Sequence, residues 1–260
     1  MNTKQLINIS GLIALFVTAS GVQAEDFRAR IVKVQGEVYV VNSEGEERKP
    51  EKTQFLVNEM ETIVTRKDGK AVVQFDDGAM SVMDEKSRMR VEQPGWLSHL
   101  GGKVYYVFRK VFGKEQPKQV KTNFATIGIR GTTFIVFDDE ESNSVALQEG
   151  KLNIESPGDD FEIHRKTPAD DFESFKQQAK QSKEALQKEF SDYRDKIGKE
   201  FVEYKKSFEM QADRIVHFDG NKVNESGLTE DIKAQFKNFN NFAEEYINAY
   251  RELDESTTNQ

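Results

Sequence analysis

A change of hydrophobic period near residue 167 constrains this chain more than any other feature. Between about residues 27 and 163 the apolar residues alternate, with Val32, Val34, Val38 and Val40 in phase around Gly36. That is the pattern of half-buried strands. Asp68-Gly69 and Asp77-Gly78 bracket Ala71, Val73 and Phe75, so two tight turns predict a meander of hairpins. Further strands are expected over residues 80–83, 104–108, 132–137, 144–147 and 152–154. Many short strands with closely spaced turn signals favour an antiparallel sandwich, barrel or roll, and pattern alone leaves these three open.

After the turn-rich Ser156-Pro157-Gly158-Asp159-Asp160, the period becomes helical. Residues 159–167 read as a linker. Thr167-Pro168-Ala169-Asp170 reads as a helix start, because Thr167 can cap, Pro168 needs no donor there, and the acidic residues suit the positive end of the helix dipole. Leu186, Ile197 and Phe208 recur every eleven residues within a stripe that also holds Phe172, Phe175, Phe201 and Tyr204. That period predicts a nearly straight helix rather than a leucine zipper. Asp219-Gly220-Asn221 breaks the pattern, and Thr229-Glu230-Asp231 caps a second helix with the stripe Ile232, Phe236, Phe239, Phe242, Tyr246, Tyr250 and Leu253. Two such helices should fold back on each other as an antiparallel hairpin over residues 168–255, with 256–260 as a disordered tail. The expected fold class is therefore segregated α+β: an all-β domain over residues 25–158, then a long α-helical hairpin.

Residues 1–24 read as an address. Lys4 is the one charge before Glu25, residues 6–22 are apolar or small, and Val22-Gln23-Ala24 offers a signal-peptidase site. The apolar core is shorter than the roughly 20 residues that span a bilayer, so cleavage is expected and no transmembrane segment in the mature chain. The expected location is the periplasm of a Gram-negative bacterium.

Composition narrows the chemistry. The 260 residues include no cysteine and three histidines, with 37 Lys plus Arg against 45 Asp plus Glu. No disulfide scaffold, thiolate metal site or thiol nucleophile can be built, and His99, His164 and His217 are too widely spread to suggest a metal cluster. A net charge of -8 argues against nucleic-acid binding. No combination of residues supplies acid, base and nucleophile together. Neither enzymatic activity nor a cofactor is expected.

The β half resembles the FecR domain family. The residues that carry this are 29–40, Glu61-Thr62-Ile63-Val64-Thr65, the run from Asp68-Gly69 to Asp77-Gly78, residues 120–134 with Ile129-Arg130-Gly131-Thr132, and Val145-Ala146-Leu147-Gln148-Glu149-Gly150-Lys151-Leu152. The resemblance spans nearly all of residues 27–155. It implies an all-β extracytoplasmic domain that works by protein contact and relays envelope signals without catalysis. The best-known members carry a cytoplasmic anti-sigma segment and a membrane span. Here no such segment precedes the apolar stretch, so only the β domain and its binding character carry over.

Several residues stand out as candidate partner contacts. Arg130 lies between Gly128 and Gly131 in an apolar strand; it reads either as an internal tie, the favoured reading, or as a partner anchor. Residues 86–121 hold nine Lys or Arg against two Glu, with Trp96, Tyr105, Tyr106 and Phe108 interleaved. Trp96, Tyr105, Arg109 and Lys110 could thus meet an acidic partner or an anionic glycan, while solvated strand faces are the plainer reading. On the helical arm, Phe201 and Phe208 could join a second copy, because a helix of about 49 residues outreaches one of about 25. The expectation is an envelope protein partner, with a homo-oligomer through the arm as a further contact and an envelope glycan-binding module as the alternative function.

Overall fold

The computed structural model describes residues 29–51, 54–93, 95–108, 118–139, 142–165 and 201–258. The address at residues 1–24 and residues 168–200 of the expected first helix, 168–216, lie outside them. Among the described residues, seventeen strands and one helix follow in chain order: β1 (Ala29–Gln35), β2 (Val38–Val41), β3 (Glu47–Arg48), β4 (Phe55–Val57), β5 (Thr62–Thr65), β6 (Lys70–Phe75), β7 (Met80–Met83), β8 (Arg88–Val91), β9 (Trp96–Val107), β10 (Lys118–Lys121), β11 (Thr126–Asp138), β12 (Asn143–Glu155), β13 (Phe161–Arg165), β14 (Phe201–Lys205), β15 (Ser207–Gln211), β16 (Arg214–Asp219), β17 (Lys222–Gly227) and α1 (Glu230–Thr258).

The strands form two layers that share three long members. The first layer runs β4-β1-β6-β7-β9-β11-β12-β16-β17-β13-β14. The second runs β3-β2-β5-β8-β9-β10-β11-β12-β15. Pairing is antiparallel except β9–β10 and β13–β17. Strands β9, β11 and β12 each lie with one half in each layer, so the sandwich closes through bends rather than loops.

The bends fall where the sequence has glycine. β9 turns at Gly101-Gly102, and a Cβ on Gly102 (φ +85°) would sit 2.5 Å from the Ser87 Cα. β11 and β12 turn together at Gly131 and Gly150, where a Cβ on Gly150 (φ +87°) would sit 2.2 Å from the Gly131 carbonyl oxygen. Only glycine fits such a left-handed backbone held that close to another chain segment. Buried hydroxyls satisfy the crossing backbone groups nearby: the Thr65 hydroxyl donates to the Asp84 carbonyl at 2.5 Å, and the Ser87 hydroxyl donates to the Lys103 carbonyl at 3.0 Å.

The two aspartate-glycine turns do different jobs. Asp77-Gly78 closes the β6–β7 hairpin as expected. Asp68-Gly69 instead carries the chain from β5 in the second layer to β6 in the first, since β5 pairs with β2 and β8. The apolar faces of both layers meet in one core that includes Ile31, Phe75, Tyr106, Phe134 and Phe161.

The helical hairpin is overturned. Residues 201–227 are four strands, and among the described residues α1 is the one α-helix, so no coiled coil or hairpin forms there. The three-and-four spacing of Phe201, Tyr204, Phe208, Ala212 and Ile215 runs across separate strands and a turn. The local pattern beneath it has period two, with Phe208 and Met210 buried and Glu209 and Gln211 exposed. Ala212-Asp213 then crosses between layers, and Gly220-Asn221 closes a two-residue β16–β17 hairpin of the kind glycine-asparagine favours. Part of the expected linker, Phe161–Arg165, is strand β13.

The second helix forms where Thr229 predicts it, the Thr229 hydroxyl accepting from the Ile232 N–H at 3.4 Å. It runs to Thr258, into the expected tail. Its stripe has a different partner from the expected one: Phe236, Phe239, Ala243 and Ile247 pack on the outer face of the first layer, against Val72, Val82, Tyr105, Ile135, Ala146 and Ile215. Polar bonds lock it in place: the Tyr105 hydroxyl donates to Asn240 Oδ1 (2.7 Å) and the Tyr246 hydroxyl to the Val32 carbonyl (3.0 Å). No helix among the described residues is long and apolar enough to cross a membrane.

Candidate functional site

The outer face of the first layer is thus covered by α1 over its central strands, whereas that of the second carries charge. In β8 to β12 the core-facing residues include Met89, Leu97, Val120, Ile127 and Ile154, so strand alternation turns their neighbours outward. Ladder pairing lines up Thr62, Arg90, Ser98, Lys121, Thr126, Glu155 and Ser207 in one row across seven strands. A parallel row holds Trp96, Gln119, Gly128, Asn153 and Glu209.

A cleft of about 500 Å³ opens on this face between β8, β9 and the turn after β10; its charged wall residues are Arg90, Glu92, Lys121 and Asp138, with His99 at its side. Arg90 donates to Glu92 Oε1 from Nε (3.2 Å) and Nη2 (2.7 Å), and the Ser98 hydroxyl donates to the same oxygen. Burial opposes the Glu92 charge, but those bonds together with Arg90 and Lys121 hold its carboxyl below the ordinary value. Asp138 goes the other way: burial, assisted by Asp139, raises it against the Asn123 bond of 3.2 Å. The Lys121 ammonium stands 4.2 Å from the centre of the Trp96 ring.

His99 belongs to the core more than to the cleft. Its Nε2 meets the Gly102 carbonyl at 3.2 Å, and because a carbonyl only accepts, Nε2 carries the proton. Nδ1 therefore accepts from the Tyr106 hydroxyl at 3.1 Å. Burial lowers the imidazole to about 4 and raises the Tyr106 phenol. The ring is a neutral strut between the layers.

The residues singled out from sequence separate. Trp96 lies half-buried on the cleft face, and Arg130 is exposed on β11, opposite Lys151. Tyr105 is sealed beneath α1, stacked on Phe239 at 5.5 Å, and Phe208 is in the core against Phe161. Neither of these two can meet a partner at the surface, because the sheet sides they occupy are covered. Phe201 begins β14, its backbone opposite Arg165. Arg109 and Lys110 lie outside the described residues. With Phe208 in the core and the stripe of α1 spent on the protein's own sheet, the helical-arm argument for a homo-oligomer loses its basis.

The basic run divides as well. Lys103 lies by Asp84 at 3.6 Å and Lys118 pairs with Asp77, while Arg88 and Arg90 share the outward face with Lys121. Glu92, Ser98 and Asp138 were missed in the sequence; the acidic run at 138–141 was the one visible signal, and the ladder that brings Asp138 beside β9 could not be read from it. Among the described residues no group of three or more histidines and carboxylates could hold a metal ion.

Comparison with known proteins agrees with the β half. No curated protein matches the chain. Two crystal structures of a candidate anti-sigma factor from Parabacteroides distasonis ATCC 8503, at 1.65 and 2.50 Å, are similar at 13% identity with TM-scores of 0.41 and 0.40, each over 64% of this chain. The chain spans 59% of the length of those proteins. The family model described as FecR protein matches residues 61–153, from β5 to β12 and with the whole cleft inside it; over that segment the chain is similar to the FecR family.

Proposed function

We propose that this protein is a non-enzymatic envelope-signalling module that acts through protein–protein contacts made on the outward face of the second layer. The observation that carries this is the asymmetry of the sandwich. One outer face is covered by α1 over its central strands, and the other, within the FecR segment, presents a charged cleft. The similarity of residues 61–153 to the FecR family supports a regulatory role without catalysis. The site of action is the periplasm, reached by removal of residues 1–24, and fractionation of cells with and without osmotic release of the periplasm checks it.

The glycan alternative is weaker on this face. Sugar recognition by an aromatic residue needs an open ring face, and the Lys121 ammonium occupies one of the two faces of the half-buried Trp96 ring. A photoreactive residue at Gln119, on the outward face, tests the main reading in intact cells, with Lys237 on the exposed side of α1 as control. One dominant heterologous protein joined at Gln119 and absent at Lys237 is expected. Self-adducts alone, or no adduct at Gln119, would overturn it.

A further inference from the structure

Resting on that reading, we propose that the cleft receives an acidic segment of the partner protein, whose carboxylates lie on Arg90 and Lys121. These two cations sit in the same row, each directly opposite Ser98 on the strand between them. Two inter-strand steps separate them by roughly 9.5 Å, a span that side chains three residues apart on an extended segment can match. Arg88 lies two residues further along β8, its Nη2 already donating to the Leu100 carbonyl at 3.0 Å.

The cleft also contains its own precedent. Glu92 is a resident carboxylate, gripped by Arg90 through both Nε and Nη2 and by Ser98, so the wall is built to hold this group in its charged form. Asp138 accepts from Asn123 and lies within electrostatic reach of Arg88. Counting Arg88 at its edge, three cations (Arg88, Arg90 and Lys121) stand against Glu92 and Asp138 here, a local cationic excess on a chain of net charge -8 that draws an acidic segment toward this part of the surface.

The probe is a fluorescein-labelled octaglutamate peptide, titrated by anisotropy into the whole protein at 50 and 200 mM salt. Binding that weakens severalfold with salt, and at least tenfold in Arg90→Glu/Lys121→Glu, is expected, with Lys222→Glu on β17 unchanged. Glu92→Gln should tighten binding severalfold, because it frees Arg90 from its internal partner; that gain cannot come from misfolding. Lys121→Ala, with circular dichroism as a folding check, covers the case in which the double reversal unfolds. Peptide binding indifferent to these changes would overturn the proposal, and so would tighter binding of a uronic-acid oligosaccharide lost in the same variants. If crosslinking at Gln119 still captures a protein in Arg90→Glu/Lys121→Glu cells, the acidic-segment proposal falls while the protein-contact function stands.

Discussion

Strand β12 passes through both layers, and its two halves differ as the layers do. In the first layer Ser144, Val145, Ala146 and Leu147 are all buried; in the second, Leu152 and Ile154 are buried while Lys151, Asn153 and Glu155 are exposed. The break comes at Gly150. One half sits between a core and α1, the other between a core and water. A strand covered on both faces needs no polar alternation, and one covered on a single face requires it. Function follows the same division, since at the centre of the sandwich the layer without a helix is the one with side chains to offer.

The strongest way to break this contrast is to remove the cover. Phe236 on α1 is fully buried against the first layer, edge-on to Tyr105 at 6.0 Å between ring centres. Phe236→Ala should cost about 3–5 kcal/mol, the usual range for truncating a buried phenylalanine, read as a lower urea midpoint at unchanged slope. A loss under about 1 kcal/mol would make the helix an accessory and the first face as available as the second.

Acid tests what joins the layers. His99 is held neutral, its imidazole at about 4, whereas the unfolded chain protonates it near its ordinary value of about 6.5. Between those values the unfolded state binds a proton that the folded state refuses, so stability falls as pH drops from about 6.5 toward about 4. The full loss is about 3 kcal/mol, from roughly 1.36 kcal/mol per pH unit. Burial also lowers His217, which adds in the same direction. His99→Gln should flatten the slope between pH 7 and pH 4.5 relative to the unaltered protein. Equal slopes would mean that the His99 strut carries none of it.

The bend itself can be stiffened. Gly150→Ala places a methyl within 2.2 Å of the Gly131 carbonyl oxygen at φ +87°, and a cost of about 2 kcal/mol is expected from strain and displacement. Thermal unfolding reads it. A neutral result would show that β11 and β12 can pass between layers without the left-handed backbone.

The sequence made the β half legible because alternation and glycine turns are local signals. It also contained the cover of the first layer, unrecognised: Phe134-Ile135-Val136-Phe137 is a continuous apolar run, which a strand exposed on one side does not carry. The stripe of α1 was correctly placed, but its partner was taken to be a helix. Residues 201–216 misled because an aromatic series spread over separate strands imitates a helical period, and the shorter alternation of Phe208, Glu209, Met210 and Gln211 was outvoted by it. The cleft was half visible. Trp96 and the cations cluster in sequence, but which of them share a face depends on ladder register, and Asp138 comes from a strand some forty residues further on.

The smallest effect is expected at Arg130, and there the two layers can be told apart most finely. Between its two glycines, Arg130 looked like a buried tie; such a group, removed from its partners, would cost several kcal/mol. It stands instead on the water side of β11, exposed and opposite Lys151. Its cross-strand neighbour Lys151 is a cation already paired with Glu209 at 2.9 Å, so Arg130→Gln at this exposed position should change stability by less than about 0.5 kcal/mol. A loss above about 1.5 kcal/mol in urea unfolding would restore the internal tie and make the second face a structural surface. A silent substitution would leave this half of the outward face, like the cleft beside it, open to selection for binding.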